Sequence, residues 1–287
     1  MHWLIPLNFY FFFAVFSFLL RRSLAKRFIH YNRLINAIFL VVFHLPAALT
    51  ISRFFPNNLD VGWLNLLFLG IGSLIWPIAN LVAFRANHKL DAGIFSIISN
   101  LAPIFTLLVA LTFLGENLNY IQIIGSGLLI LSGIIITLPL LGRKSTINHQ
   151  EILIGILSAA IVGIAICYER FMLTRIDFGA YLVYGWGSQI LWGALLAIKD
   201  YKYLPKLFAS NKLRNTVLAY GLSSTLQGIS FVIALSLVGA SVIGPAANFV
   251  SVIIVIAGYL ILGERDHLLN KLAAVTIGIS GLLLISN

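Results

Sequence analysis

An all-α integral membrane protein with ten transmembrane helices is the architecture this sequence predicts, and three observations predict it. Of 287 residues, 60% are hydrophobic and 10% charged, whereas a soluble domain carries roughly a quarter charged residues. The charges are clustered, leaving charge-free intervals at 1–20, 34–52, 61–84, 92–115, 117–142, 152–168, 178–198, 215–263 and 272–287. A span needs roughly 20 mostly apolar residues, so eight intervals suit one span each. The interval 215–263 holds 49 residues. As one helix it would run ~73 Å at ~1.5 Å per residue, far beyond a hydrocarbon layer of ~30 Å, so it divides in two. The third observation is an internal repeat. A shift of 148 residues aligns 91–135 with 239–283 without a gap.

The spans fall at 3–20, 34–52, 62–84, 92–114, 118–141, 152–169, 178–198, 215–237, 240–262 and 268–285. The first reads as a span rather than a cleaved signal, since no Lys or Arg precedes it. Its run Tyr10-Phe11-Phe12-Phe13 is expected to face lipid. Span two carries His44 at its middle, and span three carries Trp76-Pro77 and Asn80. A proline inside a helix frees a backbone carbonyl that a neighbour, water or ligand must satisfy. Span four holds Asn100, and span five closes the first half, residues 1–141. The polar stretch 142–150 is the linker, and 151–287 is the second half. Span six ends at Glu169 beside Arg170, expected to be an interfacial ion pair. Span seven presents Tyr181 and Tyr184, with Gln189 or Trp192, on one helical face; its aromatics suit a cage or the membrane interface. Span eight holds Gln227, and span nine holds Gly244-Pro245 and Asn248. Span ten shows small residues at Ala274, Gly278 and Gly281, expected to pack within the monomer.

A duplicated unit with an odd number of spans enters the membrane the opposite way up. Loop charges test this independently. On alternate sides the Lys and Arg total 16 against three. The positive-inside rule makes the basic side cytoplasmic and places both termini outside. The formal charge of +10 is thus a topology signal that also meets anionic headgroups. It is not a nucleic-acid footprint, and no nucleic-acid partner is predicted. The expected setting is a cell membrane, with the chain as monomer or weak homodimer. One cysteine, Cys167, excludes an internal disulfide. Six histidines without ligand spacing, and no phosphate or dinucleotide loop, predict no metal, no cofactor and no enzyme.

The repeat superposes Ala92 on Ala240, Asn100 on Asn248, Leu114-Gly115-Glu116 on Leu262-Gly263-Glu264, and Ser132-Gly133 on Ser280-Gly281. With Asn100-Leu101-Ala102-Pro103 and Gly125, these residues resemble the EamA-type transporters of the drug/metabolite transporter superfamily. The resemblance implies two inverted five-helix repeats around a central cavity walled by spans one, three, four, six, eight and nine. Ser251 stands where the repeat of Pro103 would fall, and family members generally have cytoplasmic termini.

Candidate residues follow from the cost of burying polar groups in hydrocarbon. Asn100 and Asn248 are expected either as hydrogen bonders across a pseudo-symmetric cavity or as packing between helices. Asn80, Trp76, Gln227, Tyr184 and Gln189 are further substrate-binding candidates. Glu116 and Glu264, each beside a glycine at a span end, are expected to cap the next helix or its turn. For energy coupling only His44 and Glu169 approach membrane depth. The predicted activity is secondary transport of small organic metabolites such as amino acids, by export or exchange through alternating access. The rival readings are a membrane-embedded enzyme on lipid substrates and a noncatalytic scaffold.

Overall fold

A computed structural model describes residues 2–90, 95, 98–137, 149–254 and 268–286. Leu262-Gly263-Glu264 and most of the 142–150 linker lie outside the described residues. Among the described residues the secondary structure is all helical. The first half contains α1 (Leu4–Phe28), α2 (Asn32–Phe39), α3 (Leu45–Ile51), α4 (Trp63–Gly72), α5 (Ile75–Lys89), α6 (Ala102–Thr112) and α7 (Tyr120–Thr137). The second contains α8 (His149–Leu173), α9 (Phe178–Tyr181), α10 (Gly187–Leu196), α11 (Leu204–Ala209), α12 (Asn211–Leu237), α13 (Ala240–Asn248) and α14 (Leu268–Ile285).

Four helical runs are long and apolar enough to cross a bilayer: Leu4–Phe54, Trp63–Lys89, His149–Leu173 and Asn211–Leu237. A pair bent by 65°, Phe178–Leu196 with Ile198–Ala209, makes a fifth. The first run, at 51 residues, is twice the length one span needs. The remaining expected spans appear as shorter apolar helices, Ala102–Thr112, Tyr120–Ile135, Ala240–Ile254 and Leu269–Ile285.

The helices pack by stripes. On α1 the buried residues Leu7, Phe11, Ala14 and Ser17 recur every three or four positions, which is one helix face. Ile5, Phe9, Phe12, Phe16 and Leu19 form the opposite face and are exposed. Large apolar side chains on an outer face would be unfavourable in water and suit lipid. Similar exposed stripes run along α7 (Ile121, Ile124, Leu131) and α14 (Leu272, Ile279, Leu283).

Helix α1 packs on α12, α5 and α6 on α8, α6 on α13, and α7 on α14. The α7–α14 crossing is close because it is made of glycine. A Cβ on Gly125 would stand 2.7 Å from the Ile285 nitrogen and 2.9 Å from the Gly281 oxygen. The small residues of span ten therefore pack inside the chain, with Ala274 fully buried.

The breaks sit where backbone chemistry puts them. The α4–α5 interruption falls at Ser73-Leu74. Pro77 has no N–H to offer the Ser73 carbonyl four residues earlier, so the proline favours a break just before Ile75. Gly62, at φ 73°, starts α4, and Gly115, at φ 64°, follows α6; both need the left-handed region that glycine enters freely. The basic segment after span one is not an open loop, because α1 runs on to Phe28.

Basic segments meet at one end. The Lys26 ammonium donates to the His88 carbonyl (3.0 Å), and Tyr31 packs edge-on against Tyr203 (5.9 Å between centroids). At the other end the Asn58 N–H donates to the Asp177 carboxylate (3.1 Å), and the Gly179 N–H donates to the Pro56 carbonyl (2.9 Å).

Candidate functional site

Two π-helical turns mark the centre of the seam between the halves. One covers Leu40–His44 between α2 and α3; the other covers Leu182–Trp186 between α9 and α10. A π-turn adds one residue to the helix and rotates everything after it, and such turns concentrate at functional sites. The last residues of the two turns meet. The His44 ring stacks on Trp186 at 4.2 Å and 30°. His44 Nδ1 shares a 2.7 Å hydrogen bond with Thr225 Oγ1 on α12. Helix α12 faces the pair with Gly228, where a Cβ would come into ordinary van der Waals contact with both rings (3.7 Å). His44 is thus a buried, hydrogen-bonded residue.

A second polar group lies on α8. Glu169 was expected to pair with Arg170 at the interface, but the two side chains diverge. Successive residues on a helix point ~100° apart, so only one of them can face inward. Glu169 does so and is 2% exposed. Its Oε1 accepts the Tyr181 hydroxyl at 2.7 Å, and its Oε2 has no hydrogen-bond partner. The Trp76 indole stands beside the same carboxylate and Gln189 beside the Tyr181 hydroxyl. Neither Trp76 Nε1 nor Gln189 Nε2 makes a hydrogen bond of good geometry. Three candidates read from sequence are thus gathered at one point, and the π-turn between Tyr181 and Gln189 is what brings span seven into register. Tyr184 turns away and donates to the Leu59 carbonyl (3.2 Å).

Gln227 joins a ladder between α1 and α12. Ser17 donates to its Oε1 (2.6 Å), and Ser224 donates to Ser17 (3.3 Å). Asn80 is half-buried on α5.

The matched asparagines do meet, though by direct contact. Asn248 Nδ2 donates to Asn100 Oδ1 (3.0 Å), and Asn100 Nδ2 donates to the Gly133 carbonyl (2.7 Å). Gly133 permits this, since a Cβ there would lie 2.9 Å from both amides. Asn100→Ala and Asn248→Ala should therefore each lower the melting point by an amount worth about 1 kcal/mol. Asn100→Ala should cost the more of the two, since it also removes the bond to Gly133, and the double variant should cost less than the sum because the Asn248–Asn100 bond is shared. Additive losses in thermal unfolding would mean that the amides act independently.

Glu116 caps a helix, as expected of a carboxylate there, but one belonging to the other half. Gly115 turns the chain so that Glu116 Oε1 accepts from the Ala240 N–H (2.9 Å) and Oε2 from the Ser241 N–H (2.8 Å) and hydroxyl (2.7 Å). These are orphan donors at the start of α13. Arg170 Nε lies 3.4 Å from the same carboxylate, and its Nη1 donates to the Leu235 and Ser236 carbonyls (3.0 and 3.2 Å) at the end of α12. A cavity of about 310 Å³ opens here, lined among others by Glu116, Asn117, Gln122, Arg170 and Gly239.

Residues 6–138 match the profile of the EamA-like transporter family. The first half of this chain is similar to members of that family. No curated protein matches the chain. A crystal structure of another protein superposes with a TM-score of 0.72 over 98% of both chains at 16% identity, a likeness that speaks for the fold. With the helices long and apolar enough to span a bilayer, this likeness to a transporter family indicates a multi-pass membrane protein. The EamA-like half contributes His44, Trp76, Asn80, Asn100 and Glu116; Glu169, Tyr184, Gln189, Gln227 and Asn248 come from beyond the matched residues. Sequence reasoning left out Thr225 and Trp186 as partners of His44, and Arg170 as partner of Glu116. No spacing signal marks such pairs, since each joins side chains from different halves.

Proposed function

We propose that this protein is a secondary transporter of small organic metabolites such as amino acids, working by exchange or export through alternating access. The observation that carries this reading is the way the helices pair. If each half has five spans, α1 (span one) on α12 (span eight) and α8 (span six) on α5 (span three) are one contact made twice with the halves exchanged. The α6–α13 and α7–α14 contacts then pair spans four with nine and five with ten, each joining equivalent helices. The two π-turns, in spans two and seven, likewise meet each other. This pairing supports the reading of two inverted halves, 1–141 and 151–287, related by a two-fold axis in the membrane plane. Ten spans, a basic cytoplasmic face and external termini complete the arrangement.

Polar groups gathered on the seam between the halves sit where a rocking motion would expose them to one side and then the other. The substrate-binding set is Trp76, Asn80, Gln189 and Gln227, with Tyr184 at its edge and the Asn100–Asn248 pair as the joint behind it. Exchange without an obligatory sodium gradient is the assigned mode, with weak proton coupling through His44 or Glu169 as its fallback, Glu169 being a buried carboxylate. The purified protein in liposomes preloaded with unlabelled amino acids should accumulate labelled ones with no ion gradient. Transport that demands sodium, or no exchange of any of the twenty amino acids, would refute the proposed mode.

A further inference from the structure

We propose that Glu169, Tyr181, Trp76 and Gln189 form a subsite for a small protonated amine that carries a neighbouring oxygen acceptor. It rests on the transporter reading only in treating that amine as cargo.

Glu169 and Gln189 are 2% and 4% exposed. A carboxylate offers about four lone-pair directions. Oε1 takes one hydroxyl, from Tyr181, while Oε2 takes no donor. Among the described residues no Lys, Arg or His lies within salt-bridge distance of Glu169, because Arg170 is directed to Glu116 and to α12. A buried carboxylate without a charged partner is costly to retain, and such residues mark ligand or ion pathways. A bare carboxylate oxygen is best matched by a positively charged N–H donor. A neutral alcohol could donate one bond but would leave the charge unbalanced, and an anion would be repelled.

The surroundings narrow the ligand further. The Trp76 indole N–H lies beside the carboxylate and makes no hydrogen bond of good geometry, so it too can serve a ligand acceptor. The buried Nε2 of Gln189 lacks an acceptor, so an oxygen a few bonds from the cationic nitrogen would complete it. Amino acids and amino alcohols have this pattern.

Four probes of similar size separate the requirements: ethanolamine, ethylene glycol, glycolate and tetramethylammonium, each added at equal ionic strength to the purified full chain. Thermal unfolding is the readout, since a ligand that binds the native state raises the melting point by mass action. Ethanolamine should raise it saturably, and the other three should not. Glu169→Gln should weaken ethanolamine about 10- to 100-fold, the size of one charged hydrogen bond, and Gln189→Leu should weaken it less. An equal response to ethylene glycol or glycolate overturns the proposal, as does no response to ethanolamine. A response to tetramethylammonium alone, or to sodium in its place, assigns a different cation and also overturns it. If Glu169→Gln does not fold, the discrimination among the four probes by the wild type decides the matter. Amine binding without exchange in liposomes would sink the transporter reading and spare the subsite. Exchange without amine selectivity would do the reverse.

Discussion

Glu116→Ala should destabilise the protein by about 2–3 kcal/mol, combining the loss of a helix cap with the loss of charged hydrogen bonds. The carboxylate is 15% exposed and accepts three hydrogen bonds from Ala240 and Ser241. Its removal leaves two N–H groups at the start of α13 without an acceptor and Arg170 without its counter-charge. Because the contact joins a loop of the first half to a helix of the second, the loss falls on the union of the halves. Glu116→Gln should cost about half as much, since one acceptor oxygen survives. Unfolding in detergent, followed by heat or by a mild denaturant, checks both values. If alanine and glutamine variants melted with the wild type, the cap would contribute nothing.

Gly125→Ala should cost about 1–3 kcal/mol, the usual range for overpacking a filled core, and should lie near its top. The new methyl would meet the backbone nitrogen of Ile285 at 2.7 Å and the backbone oxygen of Gly281 at 2.9 Å. Backbone atoms cannot swing aside as a side chain can, so α7 and α14 would have to separate. Gly127 supplies the control. It lies two residues along the same helix with nothing within 4 Å of its would-be Cβ, so Gly127→Ala should be neutral or slightly stabilising through helix propensity. Equal melting points for the two variants would mean that the crossing is looser than described.

Much was legible in the sequence where one residue type answers one physical demand. Apolar runs of span length announced a membrane protein, because hydrocarbon admits helices and rejects uncompensated charge. The stripe of small residues in span ten announced close packing, and Leu114-Gly115-Glu116 announced a turn with a capping acid. The repeat itself placed Asn100 and Asn248 as counterparts before any contact was known.

Tertiary structure alone decided what each polar group does. That Glu116 would cap α13, that Glu169 would turn from Arg170 toward Tyr181, and that the asparagine amides would bond to each other all depend on which helix lies opposite. Helix phase is a second reason. A π-turn shifts every later side chain by one position, and neither Leu40–His44 nor Leu182–Trp186 carries a residue pattern that announces one. Local composition therefore determined which stretches enter the membrane. The approach of the two halves determined which of their few polar side chains share a seam, because hydrogen bonds in hydrocarbon go to whatever partner packing brings within ~3 Å.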